Sequence, residues 1–126
     1  MVDSLLDSAV FVDVLRDYEP ARDWLAKQGQ LGVTHVVWLE ILDGAPNKRA
    51  QRHALELLRR FAVVEITAAD MRWAVEQLVR LRLSHNVDPF DCLIASVAYR
   101  LQLPLYSHNL KHFGPLIGDL AVRPYD

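Results

Sequence analysis

The chain has 126 residues, 52% of them hydrophobic, with a formal net charge of −2, which predicts one domain, 1–126, with a sizeable core. Its longest apolar runs, 36–39 and 61–64, fall far short of the roughly 20 residues that cross a bilayer. No basic segment precedes an apolar run at the start, so no secretory signal is expected, and the single cysteine, Cys92, fits a reducing cytosol. A chain of this slightly acidic balance binds nucleic acid through a local patch or a bound metal, not through bulk charge.

In chain order, a short apolar stretch at 4–6 runs into Asp7 and reads as the first strand. Helices are predicted at 10–15 and 20–27. Gly29 and Gly32 punctuate the chain before 33–37, a β-branched run that reads as a buried strand. A helical turn or two is expected at 39–44, interrupted near Pro46. The segment 48–61 predicts a helix with Ala50, Ala54, Leu57, Leu58 and Phe61 on one face. A strand follows at 62–67, then a helix at 68–83 with Met71, Ala74, Val75 and Leu78 turned inward. Asp88-Pro89 is a helix start, a capping aspartate followed by proline at the first helical position. That helix is expected to reach Leu101, with Ile94, Val97, Ala98 and Leu101 inward. Strands are predicted at 103–107 and 121–123. Strands alternating with helices indicate an α/β domain with a mainly parallel sheet.

This order gathers four residues at one edge. Asp7 ends the first strand, Glu40 is expected in the turn after 33–37, Asp91 lies in the first turn of the Asp88 helix, and Asn109 follows the strand 103–107. Right-handed crossovers bring such positions together at the carboxyl edge of an open parallel sheet. Three carboxylates and an amide carbonyl make a hard, oxygen-rich site suited to Mg²⁺ or Mn²⁺. Carboxylates held close repel one another, and a divalent ion removes that penalty. Such an ion also generates hydroxide and stabilises charge on a phosphate, which points to phosphodiester chemistry. Ser8, Asp88 and Ser107 are placed to support the acids. Singly, each acid has a plain reading: Asp7 as a turn residue, Glu40 as a solvated helix residue, Asp91 as part of a capping box with Asp88. Their joint placement argues for a site.

Two rivals fail on single positions. A phosphatase that forms an aspartyl-phosphate needs a second aspartate two residues after the first, where this chain has Ala9. A dinucleotide-binding turn needs glycines, and 7–13 contains none.

The same residues carry a resemblance. Leu5-Leu6-Asp7-Ser8 resembles the opening of PIN-domain nucleases, an apolar pair, Asp, then Thr or Ser. Glu40-Ile41-Leu42-Asp43-Gly44 resembles their Glu-Leu-x-x-Gly motif. Asp91-Cys92-Leu93-Ile94-Ala95-Ser96-Val97-Ala98 is similar to their Asp-x-Leu-Ile-Ala-Ala-x-Ala. The strand ending in Ser107-His108-Asn109, with Phe113 beyond it, resembles Thr-x-Asn/Asp-x-x-x-Phe, and Val122-Arg123-Pro124-Tyr125 is similar to the end of VapC-type toxins.

The resemblance implies a three-layer α/β/α fold around a parallel sheet of about five strands. It also implies a Mg²⁺- or Mn²⁺-dependent endoribonuclease that arrests growth as the toxin of a toxin–antitoxin pair. Asp7, Glu40 and Asp91 become metal ligands, and Asn109 takes a fourth position where other members have Asp. The implied partners are an antitoxin protein, RNA and a second copy of the chain, with no membrane. Three departures stand out. Asn109 adds no charge, Ser107 replaces the usual Thr, and Trp38 stands where a small or hydroxyl residue is common. The neutral Asn109 supports an alternative, a weak or inactive module that only binds antitoxin or RNA.

Other signals are weaker. Lys48, Arg52 and Arg59 share a helical stripe, flanked by Arg49 and Arg60, which reads as an RNA-phosphate surface or as a solvated face. His108 and His112 have the spacing of a zinc pair but no third zinc-type ligand. Asp13 and Asp43 read as local acids. Trp24, Trp38 and Trp73 read as core or interface anchors.

Overall fold

The computed structural model describes residues 1–126. Strands β1 (Ser4–Leu6), β2 (Leu31–Val33), β3 (Ala62–Val63), β4 (Leu105–Tyr106) and β5 (Ala121–Val122) form one fully parallel sheet in the order β3-β2-β1-β4-β5. Seven helices connect them: α1 (Ser8–Leu15), α2 (Glu19–Ala26), α3 (His35–Asp43), α4 (Lys48–Leu58), α5 (Ala68–His85), α6 (Pro89–Leu101) and α7 (Leu110–Ile117). The chain walks from β1 to β3 in one direction, then returns to the other side of β1 for β4 and β5. Right-handed crossovers in opposite directions put helices on opposite faces. Helices α1, α3 and α4 accordingly pack together, and α5, α6 and α7 form a second group. The result is the expected three-layer α/β/α architecture.

The strands are short because burial holds them as much as ladder length does. One cluster of 24 buried apolar residues runs through both helical layers and the sheet. Leu5, Leu6, Val33 and Leu105 are at most 1% exposed, and Phe11 meets Phe61 edge to face at 5.2 Å. Gly32 pairs with Leu5 and Ala62, and a Cβ there would lie 2.8 Å from both Val2 Cγ1 and Val64 Cγ2. Only glycine permits that approach.

Several local expectations are corrected. The run 33–37 is not a strand. The sheet ends at Val33, Thr34 is the extended cap residue, and α3 starts at His35. Valine in a helix costs a few tenths of a kcal/mol, whereas burying a Val or Ile side chain gains about 1.5–3 kcal/mol. Burying Val36, Val37 and Ile41 together outweighs local preference. Glu40 consequently sits on α3, not in a turn. On α5, Met71 and Val75 face solvent, 49% and 56% exposed, while Ala74 and Leu81 face the core. Leu101 is exposed at the end of α6, and Phe61 lies beyond the end of α4. No helix is predicted between 107 and 121, yet α7 forms there with Gly114 and Pro115 inside it, and burial of Phe113, Leu116 and Ile117 secures it. No helix is long and apolar enough to cross a membrane.

Candidate active site

The sheet order reverses between β1 and β4, and the crevice at such a switch point opens at the carboxyl ends of the strands. Asp7 directly follows β1 and is 6% exposed. Ser107 directly follows β4 and is wholly buried. Its hydroxyl donates to Asp7 Oδ2 at 2.7 Å and accepts the Asn109 backbone N–H at 2.9 Å. One hydroxyl thus ties the ends of the two central strands together and fixes Asp7. Asn109 is the cap residue of α7, although its side chain makes no capping bond.

Glu40 reaches the crevice from α3 and Asp91 from the first turn of α6, where Asp88 caps the Phe90 N–H at 2.7 Å. Burial and the charges of Asp7, Asp91 and Asp88 push Glu40 up to about 7. Burial, then Asp7, raises Asp91 to about 6, opposed by a hydrogen bond from His112. Burial raises Asp7 as well, opposed by Ser107 and Ser8. Ser8 Oγ lies 3.4 Å from Asp7 Oδ1 and within reach of Glu40. Asp7, Glu40, Asp91 and Asp88 therefore share one electrostatic environment, with no Lys or Arg bonded to any of them.

The donor set fits a hard divalent cation. Glu40 Oε1 is buried with no hydrogen-bond partner, an orphaned anionic oxygen whose cost a cation removes. No three His, Cys, Asp or Glu side chains are already closed into a metal cage. Like charges keep such groups apart until a cation joins them.

His112 is the residue that sequence reasoning misplaced. Its Nδ1 lies 3.2 Å from Asp91 Oδ2 and 3.0 Å from Asn109 Nδ2. His108 turns elsewhere, 3.8 Å from Asp13 Oδ2 and against the Tyr125 ring, whose hydroxyl also bonds Asp13. The two histidines do not form a zinc pair. The usable signal was the spacing of His112 from Asn109, one helical turn, not its spacing from His108.

A groove of about 500 Å³ leads away from Glu40 between α1, α3 and α4, lined by Val12, Leu15, Arg16, Ile41, Pro46 and His53 among others. The basic residues of α4, Lys48, Arg49 and Arg52, are exposed, with Lys48 and Arg52 on the helix face turned away from the lining residues Ala50, His53 and Ala54. Trp24 packs on Tyr106 at 4.8 Å, and Trp73 stacks on Tyr99 at 5.0 Å, both in packing roles.

A parallel sheet with acids at its switch point is the architecture of PIN domains, and the PIN domain family profile matches residues 4–112. The chain belongs to that family. Within it the kinship is to the VapC type. Ribonuclease VapC10 of Mycobacterium tuberculosis is 35% identical over 113 residues, covering 86% of this chain and 84% of that protein. A toxin-antitoxin complex from Klebsiella pneumoniae superposes with a TM-score of 0.75 at 23% identity, covering 98% of each chain. VapC20 of Mycobacterium tuberculosis, described as a sarcin-ricin loop cleaving toxin, gives 0.73 at 18% identity, covering 95% of this chain and 98% of that one. At these identities the two structures speak for the fold alone.

Proposed function

We propose that residues 1–126 form a single PIN-like nuclease domain that hydrolyses RNA phosphodiesters with Mg²⁺ or Mn²⁺, as the growth-arresting toxin of a toxin–antitoxin pair in the cytoplasm. The observation that carries this reading is the under-compensated acid trio, Asp7, Glu40 and Asp91, together with the orphaned Glu40 Oε1. These three residues would hold the ion, which when bound supplies an activated water and charge neutralisation at the phosphate. Ser107 and Ser8 orient Asp7, Asp88 holds the start of α6 and with it Asp91, and Asn109 stands at the crevice beside them. The groove beside Glu40 suits the RNA backbone or a segment of the antitoxin, and the exposed Lys48, Arg49 and Arg52 of α4 offer phosphate contacts beyond it.

A row of exposed apolar residues on α5, Met71, Val75, Val79 and Leu83, suits a homodimer contact, and Val79 and Leu83 are 80% and 99% exposed. The VapC10 likeness supports the ribonuclease assignment.

The purified protein, given Mg²⁺ or Mn²⁺, is expected to cut total RNA, and Asp7→Asn or Asp91→Asn to abolish cutting without unfolding. Undiminished cutting by either variant would disprove the site. The neutral Asn109 favours a second reading, a binding-only module, and the intact Asp7, Glu40 and Asp91 count against it. No RNA cleavage together with unaffected growth on expression would favour it.

A further inference from the structure

His112 decides which end of the Asn109 amide is left for a ligand. Its Nδ1 faces Asp91 Oδ2 at 3.2 Å and the Asn109 amide at 3.0 Å. A ring nitrogen either donates or accepts. A carboxylate that ligates a metal is ionised and only accepts, so beside such an Asp91 the Nδ1 must carry the hydrogen. A bare Nδ1 would instead set its lone pair against a carboxylate.

A hydrogen-bearing Nδ1 cannot face the Asn109 NH₂, because two donors would meet. Amide oxygen and nitrogen have nearly the same shape, and the hydrogen-bond network decides between them. The Asn109 side chain makes no capping bond that would resist the turn. Its oxygen therefore turns to His112, and its NH₂ becomes the free end. An NH₂ group repels a cation and suits a phosphate oxygen.

We propose, building on the metal-dependent reading above, that His112 is a positioning residue whose Nδ1–H fixes Asp91 as a ligand, and that Asn109 donates a hydrogen bond to the substrate phosphate and does not ligate the metal. His112 plays the part usual for groups that orient a ligating carboxylate, whose loss costs about 10–100-fold in affinity or activity. The neutral residue at position 109 is then a gain of a donor, not simply a missing charge.

The test titrates Mg²⁺ alone into the wild type, Asn109→Leu, His112→Leu and His112→Asn by calorimetry, alongside RNA cleavage and melting curves. Asn109→Leu should bind Mg²⁺ like the wild type while kcat/KM falls about tenfold or more, the size of one hydrogen bond to a charged group. His112→Leu should weaken Mg²⁺ binding by about tenfold or more, and His112→Asn, which keeps an N–H donor at the Nδ1 position, should recover most of it. Long-range proton–nitrogen spectra of the Mg²⁺-loaded wild type should place the hydrogen on Nδ1. The inference is overturned if Asn109→Leu weakens Mg²⁺ binding as much as His112→Leu, or if Nδ1 is bare in the loaded protein. A wild type that takes up no Mg²⁺ overturns the metal reading itself, and the inference with it.

Discussion

Asp7 and Asp70 are both buried aspartates, 6% and 2% exposed, and their surroundings drive them in opposite directions. Asp70 stands at the start of α5, where it completes a capping box with Thr67 and receives Arg100 Nε at 2.9 Å. Burial opposes its charge, but the Arg100 and Thr67 hydrogen bonds outweigh burial and hold it below the ordinary carboxylate range. Asp7 has hydroxyl and backbone donors and the charge of His108 but no bonded Arg or Lys, so burial outweighs them and raises it. A carboxylate that holds the fold is given donors until its charge is secure. Asp7 is left short of them, and the surrounding core carries the cost.

Exchanging charge for its absence at the two sites separates these roles. The largest effect is expected at the crevice. Asp7→Asn should lower RNA cleavage by more than about 100-fold, beyond the cost of losing an outer partner, while the melting temperature holds or rises. A fall in melting temperature would mean that Asp7 secures the fold after all. Next, Asp70→Ala should leave cleavage per folded molecule intact but lower stability in urea titrations. Breaking a buried pair costs about 3–5 kcal/mol, and the 35% exposure of the Arg100 side chain reduces this to about 2–3 kcal/mol. A loss under about 0.5 kcal/mol would erase the contrast.

Mg²⁺ sharpens it further. At ten times its dissociation constant the ion should stabilise the wild type by about 1.4 kcal/mol, and Asp70→Ala equally, but not Asp7→Asn. Equal stabilisation of Asp7→Asn would place the ion elsewhere. The smallest effect is on pH dependence. Because the folded Asp70 holds its proton more weakly than the unfolded one, its contribution is present above the ordinary value of 3.8 and fades as pH falls through the lower folded value. The stability gap between wild type and Asp70→Asn should thus narrow below about pH 4, as urea midpoints across that range would show.

The sheet and the placement of the acids were legible because Asp7 and Asn109 sit where strands hand over to helices, while Asp91 lies in the first turn of a helix that follows another helix and whose Asp88-Pro89 start is written in cap chemistry. The α3 boundary was not. Val33, Thr34, Val36 and Val37 favour a strand locally, and only burial against the rest of the core turns 35–43 into a helix. The inward face of α5 was equally hidden, since that helix carries apolar residues on two faces and spacing alone cannot say which one meets α6. His112 was obscured by its partnership in sequence with His108. The start of α7 at Leu110 falls between the two rings and sends them to different acids.

The Ser107–Asp7 hydrogen bond joins residues 100 positions apart, across strands that pair only after most of the chain exists. Contacts so distant in sequence form late, because a long loop must close before they are rewarded. On a ribosome, β1, β2 and β3 emerge well before β4, so a growing chain carries Asp7, Glu40 and Asp91 without the strand that aligns the first of them. The crevice is completed only when β4 slots in beside β1, which makes its assembly a closing event in the birth of the molecule.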